Sequence, residues 1–205
     1  MRLLAILLFA SLLITSPAFA DETEAVKTLA NEKINSVIDH LRTKGLDRET
    51  RNGLIVSTIN PIFDFSQMAK LSMGKKNWLR MTNEQRQEFN ELFVKRLQES
   101  YLEKLDLYTD EDVVVDEAKI VKKRIFVRSH LVSKDNKIEM IYKFYKNKNN
   151  AWLVYDLEIM GVSIVQTYRS QFAGILKNQS VDELLNKLRE AGGMRIDTNG
   201  KRNNS

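Results

Sequence analysis

Arg124-Ile125-Phe126-Val127-Arg128-Ser129-His130-Leu131-Val132-Ser133 decides how the second half of this chain folds. Ile125, Val127 and Leu131 alternate with Arg124, Arg128 and His130, the period of two that puts apolar side chains on one face of a half-buried strand. Upstream, Val113 to Val121 has the same character. Downstream, Asp135-Asn136 marks a hairpin turn, Ile138 to Tyr145 forms a third strand, and Trp152 to Ile159 forms a fourth after the polar run Lys146 to Asn150. Consecutive strands with short links imply an antiparallel sheet. On the last strand, strict alternation sets Leu153, Tyr155, Leu157 and Ile159 on one face and Trp152, Val154, Asp156 and Glu158 on the other.

Before Asp110 the period is helical. Val26, Leu29, Ala30, Ile34, Val37, Ile38 and Leu41 fall at three- and four-residue steps, predicting an amphipathic helix from Thr23 that ends near Gly45. A second helix is expected from Asp47 to about Thr58. Asn60-Pro61 breaks it, and Phe63, Phe65 and Met68 lead into a short helical piece that Gly74 can close. Thr82 and Gln85 have the spacing of a capping box, opening the longest helix at about Asn83 to Leu107. Its apolar stripe is Phe89, Leu92, Phe93, Leu97, Tyr101, Leu105 and Tyr108. After the sheet, one helix is expected from Ser163 to Leu176 and another from a Ser180–Glu183 capping box to Gly192-Gly193. The fold class is therefore α+β, with a mostly N-terminal helical part at about 21–108, a sheet at about 112–160 and closing helices at about 163–192. These make a single domain over 21–193, and the polar tail 194–205 is expected to be disordered.

Residues 1–20 have the three-part pattern of a secretory signal peptide: Arg2, the apolar stretch Leu3 to Ile14, then Pro17 and Ala18-Phe19-Ala20. Cleavage after Ala20 and an exported destination are expected. The rest of the chain carries 31 basic and 27 acidic residues, a net charge of +4 that suits an anionic partner without demanding one. Nucleic acid is a poor partner for an exported protein. With no cysteine, disulfides, thiolate metal sites and thiol nucleophiles are excluded.

Signals for covalent chemistry are weak. His40 and His130 sit on different elements and have no second ligand at metal-binding spacing, so no metal site is expected. No nucleophile elbow, P-loop or dinucleotide fingerprint occurs. The remaining enzymatic reading places Asp156 or Glu158 inside a conical sheet with a raised pKa, and it fails if the opposite face of that strand lines the interior. An adaptor that contacts only proteins is the other alternative. Lys75-Lys76 with Arg80, Lys122-Lys123-Arg124, and Lys143, Lys146 and Lys148 are basic clusters able to meet lipid phosphates or an acidic partner. Apolar stripes of this kind suit either a filled core or a cleft.

The run Trp152-Leu153-Val154-Tyr155-Asp156-Leu157-Glu158-Ile159-Met160-Gly161-Val162-Ser163-Ile164-Val165-Gln166-Thr167-Tyr168-Arg169-Ser170-Gln171-Phe172 resembles a signature passage of the MlaC family, also called toluene-tolerance proteins. Phe63-Asp64-Phe65, Met68-Ala69, Gly74, Trp78 and the Phe89, Phe93, Leu97, Tyr101 stripe follow in the family's order. The chain departs from the pattern at Met73, where leucine is commoner, and at Thr167, where asparagine is frequent. The resemblance implies a curved antiparallel sheet of the nuclear-transport-factor-like kind, packed with a helical subdomain. It further implies a non-enzymatic periplasmic shuttle with phospholipid as cargo and no other cofactor. Its partners would be an outer-membrane Mla lipoprotein complex and an inner-membrane ATP-driven Mla complex, with only transient proximity to membranes, and its role would be to maintain outer-membrane lipid asymmetry. On facing parity, the lipid-binding wall is assigned to Phe93, Leu97 and Tyr101 on the long helix and to Ile125, Val127, Met140, Tyr142, Leu153, Tyr155 and Leu157 on strands. Val162, Ile164 and Tyr168 are assigned to the rim.

Overall fold

The computed structural model describes residues 17–106, 111–132 and 137–190, with side chains from residue 21. Most of the expected signal peptide, Tyr108, the Asp135-Asn136 turn, Gly192-Gly193 and the polar tail lie outside the described residues.

Helices come first: α1 (Pro17–Arg42), α2 (Arg48–Ile59), α3 (Phe65–Met73), α4 (Lys75–Arg80) and α5 (Asn83–Leu105). Local chemistry sets their ends. Asp47 caps α2 by accepting from the Thr50 N–H, Asp64 caps α3 through the Gln67 N–H, and Thr82 with Gln85 forms the expected capping box on α5. Gly74 separates α3 from α4. Its φ of 75° belongs to the left-handed region, and the Arg169 side chain lies 3.4 Å from where a Cβ would stand. The short α4 is an addition to the expected elements, because its six residues show too little periodicity to read.

The strands β1 (Asp112–Val121), β2 (Arg124–Val132), β3 (Lys137–Lys146), β4 (Trp152–Ile159) and the two-residue β5 (Val162–Ser163) pair in sequence order. The result is a curved, unclosed antiparallel sheet. α6 (Ile164–Ile175) comes next with Ser163 as its cap, and α7 (Val181–Arg189) opens with the Ser180–Glu183 capping box.

Two register irregularities decide which side chains face inward. On β1 the pairing slips between Val115 and Ala118. On β4, Phe144 pairs with Val154 and Lys143 with Asp156, leaving Tyr155 as an extra residue, a β-bulge. Val154, Leu157 and Ile159 therefore share the inner face with Ile125, Val127, Phe144 and Tyr142, while Leu153, Tyr155 and Asp156 fall on the outer face.

Two cores result. One gathers α3, α5, α6 and α7 around Phe89, Phe93, Tyr168 and Phe172. Their rings pack mostly edge to face, with Phe93 and Tyr168 centroids 5.0 Å apart and Phe89 and Phe172 centroids 5.3 Å apart. The second core lies where Val26 and Ala30 of α1 meet Ile125, Val127, Phe144 and Val154 of the sheet. Phe63 touches both, and its segment pairs with the free edge of β4 through Asp64 N–H to the Val154 carbonyl at 2.9 Å and Val154 N–H to the Ile62 carbonyl at 2.7 Å.

Candidate functional site

Between these cores the molecule is hollow. A cavity of about 610 Å³ lies between the inner face of the sheet and a roof of three helices, a size within the roughly 300–1,000 Å³ typical of ligand pockets. α1 contributes Ile34, Val37, Ile38 and Leu41, and α2 contributes Ile55, Val56 and Ile59. α5 supplies Leu97, Tyr101, Leu102 and Leu105, and Phe63, Phe65 and Met68 close the end nearest the aromatic core. The sheet provides Val113, Leu131, Ile138, Met140, Tyr142, Leu157 and Ile159. Polar groups on the wall are few: Lys33, Gln98, Lys104 and Glu111.

Helical geometry explains why these side chains converge. On α1, Ala30 packs on the sheet while Ile34, Val37, Ile38 and Leu41 continue the same stripe over the hollow. α2 is tied across to α5 by charge: Arg48 and Arg51 both pair with Asp106, the Arg48 contact at 2.5 Å. Gln98 Nε2 donates to Asn60 Oδ1 at 3.2 Å along the same seam. His40 of α1 and Thr58 of α2 share a hydrogen bond of 3.1 Å.

Tyr101 and Tyr142 place two phenols on the wall of the hollow. The Tyr142 phenol is pushed up to about 12 by burial, and burial likewise raises Tyr101, so both stay neutral hydroxyls at ordinary pH. Asp156 and Glu158 project from the outer face, away from the cavity. Asp156 accepts from Lys143 Nζ at 3.0 Å, from Ser163 Oγ at 2.8 Å and from the Val165 N–H at 3.1 Å, while Glu158 lies 2.7 Å from the same ammonium. Burial works against the charge of Lys143, but its hydrogen bonds to Glu158 and Asp156 outweigh that and hold it above the ordinary lysine range. Asp156 is thus the pin that fixes the start of α6 to β4. Among the described residues no group of three or more histidines, aspartates or glutamates is placed to hold a metal ion.

Of the thirteen residues assigned to the site from sequence, six border the cavity: Leu97, Tyr101, Met140, Tyr142, Leu157 and Ile164. The other seven are elsewhere. Phe93 and Tyr168 are consumed by the aromatic core, Phe93 one turn before Leu97 on α5 and Tyr168 one turn after Ile164 on α6. Ile125 and Val127 have the right face, but α1 sits directly on them and fills the space. Leu153 and Tyr155 are on the outer face because the bulge breaks strict alternation; the Tyr155 hydroxyl accepts from Arg124 Nη1 at 2.9 Å, with the guanidinium 4.5 Å from its ring centre. Val162, on β5, does not reach the wall. Sequence reasoning misses the contributions of α1 and α2. Their stripe is visible, but nothing in it says what it faces.

A family model described as "MlaC protein" matches residues 27–190. The chain belongs to the MlaC family. Among curated relatives of this MlaC family member, the intermembrane phospholipid transport system binding protein MlaC of Haemophilus influenzae is 26% identical over 118 residues, 55% of each chain. The toluene tolerance protein ttg2D of Pseudomonas putida is 26% identical over 125 residues, 60% of this chain and 58% of that one. The chain thus spans somewhat over half the length of the curated relatives it matches. A phospholipid-binding protein from Ralstonia solanacearum, solved in complex with a phospholipid, superposes with a TM-score of 0.70 at 24% identity, covering 79% of this chain and 93% of that one. The likeness establishes the fold of this MlaC family member. No helix among the described residues is long and apolar enough to cross a membrane.

Proposed function

We propose that this protein is a periplasmic phospholipid carrier that holds acyl chains in the cavity between the sheet and α1, α2 and α5. The observation that carries the reading is the hollow itself: about 610 Å³ walled almost entirely by aliphatic and aromatic side chains, in a chain of the MlaC family. An apolar cavity of this size has no use for a water-soluble substrate, whose polar groups would find few partners there.

Energetics then shape the mechanism. Burial of an acyl chain is worth about 0.8 kcal/mol per methylene, so two long tails amount to roughly 20 kcal/mol. Release into water is prohibitive. The exchange runs between the cavity and another apolar site, and the reading assigns those sites to the outer-membrane and inner-membrane complexes of the Mla system. Direction comes from the partners, through ATP hydrolysis or a difference in lipid affinity. Export by the signal peptide, with cleavage after Ala20, and a single domain over 21–193 belong to the same reading. Within it, Leu97, Tyr101, Met140, Tyr142, Leu157 and Ile164 contact lipid together with the apolar side chains of α1 and α2 that roof the cavity.

The test is extraction. The protein is purified without added lipid, extracted with organic solvent and the extract identified by mass spectrometry. Phospholipid in near-stoichiometric amount is expected; an extract without lipid, from protein that also takes none from vesicles, would overturn the reading.

A further inference from the structure

Where β4 turns into β5, the structure puts a large apolar side chain in a place that is unfavourable twice over. Ile159 pairs with Val162, so Met160 and Gly161 form a two-residue hairpin turn, with φ of 49° and 77°. Positive φ at both central positions is the type I′ geometry, which favours Asn, Asp or Gly at the first. Among the described residues, the other positive-φ positions that are not glycine are Lys122 and Asn150, both polar. Met160 is also 62% exposed. An exposed, strained methionine is a feature that stability alone would remove.

Its surroundings say what the exposure is for. Met160 walls the cavity, and so does Ile138, which is itself 36% exposed. The two are neighbours across the end of the sheet: the Met160 N–H donates to the Glu139 carbonyl at 2.9 Å, and the Glu139 N–H donates back to the Met160 sulfur at 3.3 Å. That second bond lays the thioether over the end of β3. The apolar wall of the cavity therefore reaches the surface at Met160 and Ile138, and what an apolar lip on an apolar hollow accepts is more of the same occupant.

We propose that Met160, with Ile138, is the outermost part of the lipid site, covered by an acyl segment that emerges from the cavity across the β3–β4 end of the sheet. This rests on the reading that the cavity holds phospholipid. A thioether suits the task because it is flexible and polarizable and packs against chains that differ in unsaturation.

The critical variant is Met160→Asn, which puts a residue favoured at this turn in place of the strained one and retains an acceptor for the Glu139 N–H. Met160→Leu is its partner, keeping apolar area and strain. Each purified protein is equilibrated with vesicles of phosphatidylethanolamine and phosphatidylglycerol carrying a trace of pyrene-labelled phosphatidylglycerol, separated by flotation, and assayed for lipid per protein. M160N is expected to hold lipid about fivefold less well against the vesicles, from loss of part of a methionine's burial, while lipid-free M160N melts at or above the temperature of lipid-free wild type. M160L should match the wild type. Equal loading of M160N and wild type overturns the proposal, as does lipid-free M160N that melts below lipid-free wild type, since the strain would then be absent. Wild type that takes up no lipid is a different result: it overturns the carrier reading itself.

Discussion

The helix α5 runs through two environments. Its first half sends Phe89 and Phe93 into a core where α6 and α7 bring Tyr168, Phe172, Leu184, Leu185 and Leu188 to meet them, and both phenylalanines are fully buried. Its second half sends Leu97, Tyr101, Leu102 and Leu105 toward α1, α2 and the sheet, where opposing side chains stop short and leave about 610 Å³ open. The stripe is continuous and of one chemical character throughout. What differs is the supply of side chains from across the gap, so being filled or hollow is a property of the pairing of elements and not of the helix. A filled core is self-sufficient; the hollow one is complete only with an occupant.

The largest expected effect comes from breaking the filled side. Phe93→Ala removes a ring that touches Tyr168, Phe89 and Phe172. A loss of about 3–5 kcal/mol is expected by urea denaturation, the usual range for Phe to Ala in a packed core. Lipid bound per folded molecule should hardly change, since Phe93 does not border the cavity. A selective loss of lipid with little loss of stability would mean that the boundary between the two halves lies one turn earlier.

Next in size is a pair of matched enlargements to phenylalanine, one on each side. Leu185→Phe adds bulk to a side chain already 1% exposed in the full core, and should destabilise by about 1–3 kcal/mol. Val37→Phe adds a ring to the cavity wall, where there is room. It should stabilise lipid-free protein by about 0.5–2 kcal/mol, as cavity filling does, while reducing lipid uptake from vesicles. Opposite signs for one kind of chemical change would be the clearest evidence of the difference; the same sign at both positions would erase it.

The sequence is legible wherever a residue's own neighbours in the chain decide its state. The strands of the sheet, the capping boxes at Thr82 and Ser180 and the cap at Asp47 are local features, and their residues announce them. Site residues are readable only in part, because a site is made by opposition across space. Leu97 and Phe93 stand one helical turn apart in the same stripe, and no spacing rule separates them. Alternation places Leu157 on the inner face but fails at Tyr155, since one extra residue in a strand inverts everything on its far side and leaves no mark in the pattern. Tyr155 and Asp156, in the passage that carries the family resemblance, hold Arg124 and the start of α6 and do not face the cavity.

The smallest effect, and the one that probes the difference most finely, concerns how each half is tied shut. Both α7 and α2 are joined to α5 by an arginine–carboxylate contact, Arg189 with Glu88 on the filled side and Arg48 and Arg51 with Asp106 over the hollow. Exposed pairs of this kind contribute roughly 0–1 kcal/mol, so neither Arg189→Gln nor Asp106→Asn should unfold the protein. Their local consequences should differ. α7 buries Leu184, Leu185 and Leu188 in the aromatic core and stays in place without its ion pair, whereas α2 buries only Ile55 among its described side chains and spans an open space. Asp106→Asn is therefore expected to speed amide hydrogen exchange at Ile55, Val56 and Ile59 in lipid-free protein, with high salt reproducing the effect in the wild type by screening the pairs. Loading the cavity should slow those amides again, because acyl chains supply the apolar contacts that α2 lacks. Equal exchange in α2 and α7 after the two substitutions would show that the roof is held as firmly as the core, and that the hollow does not depend on what fills it.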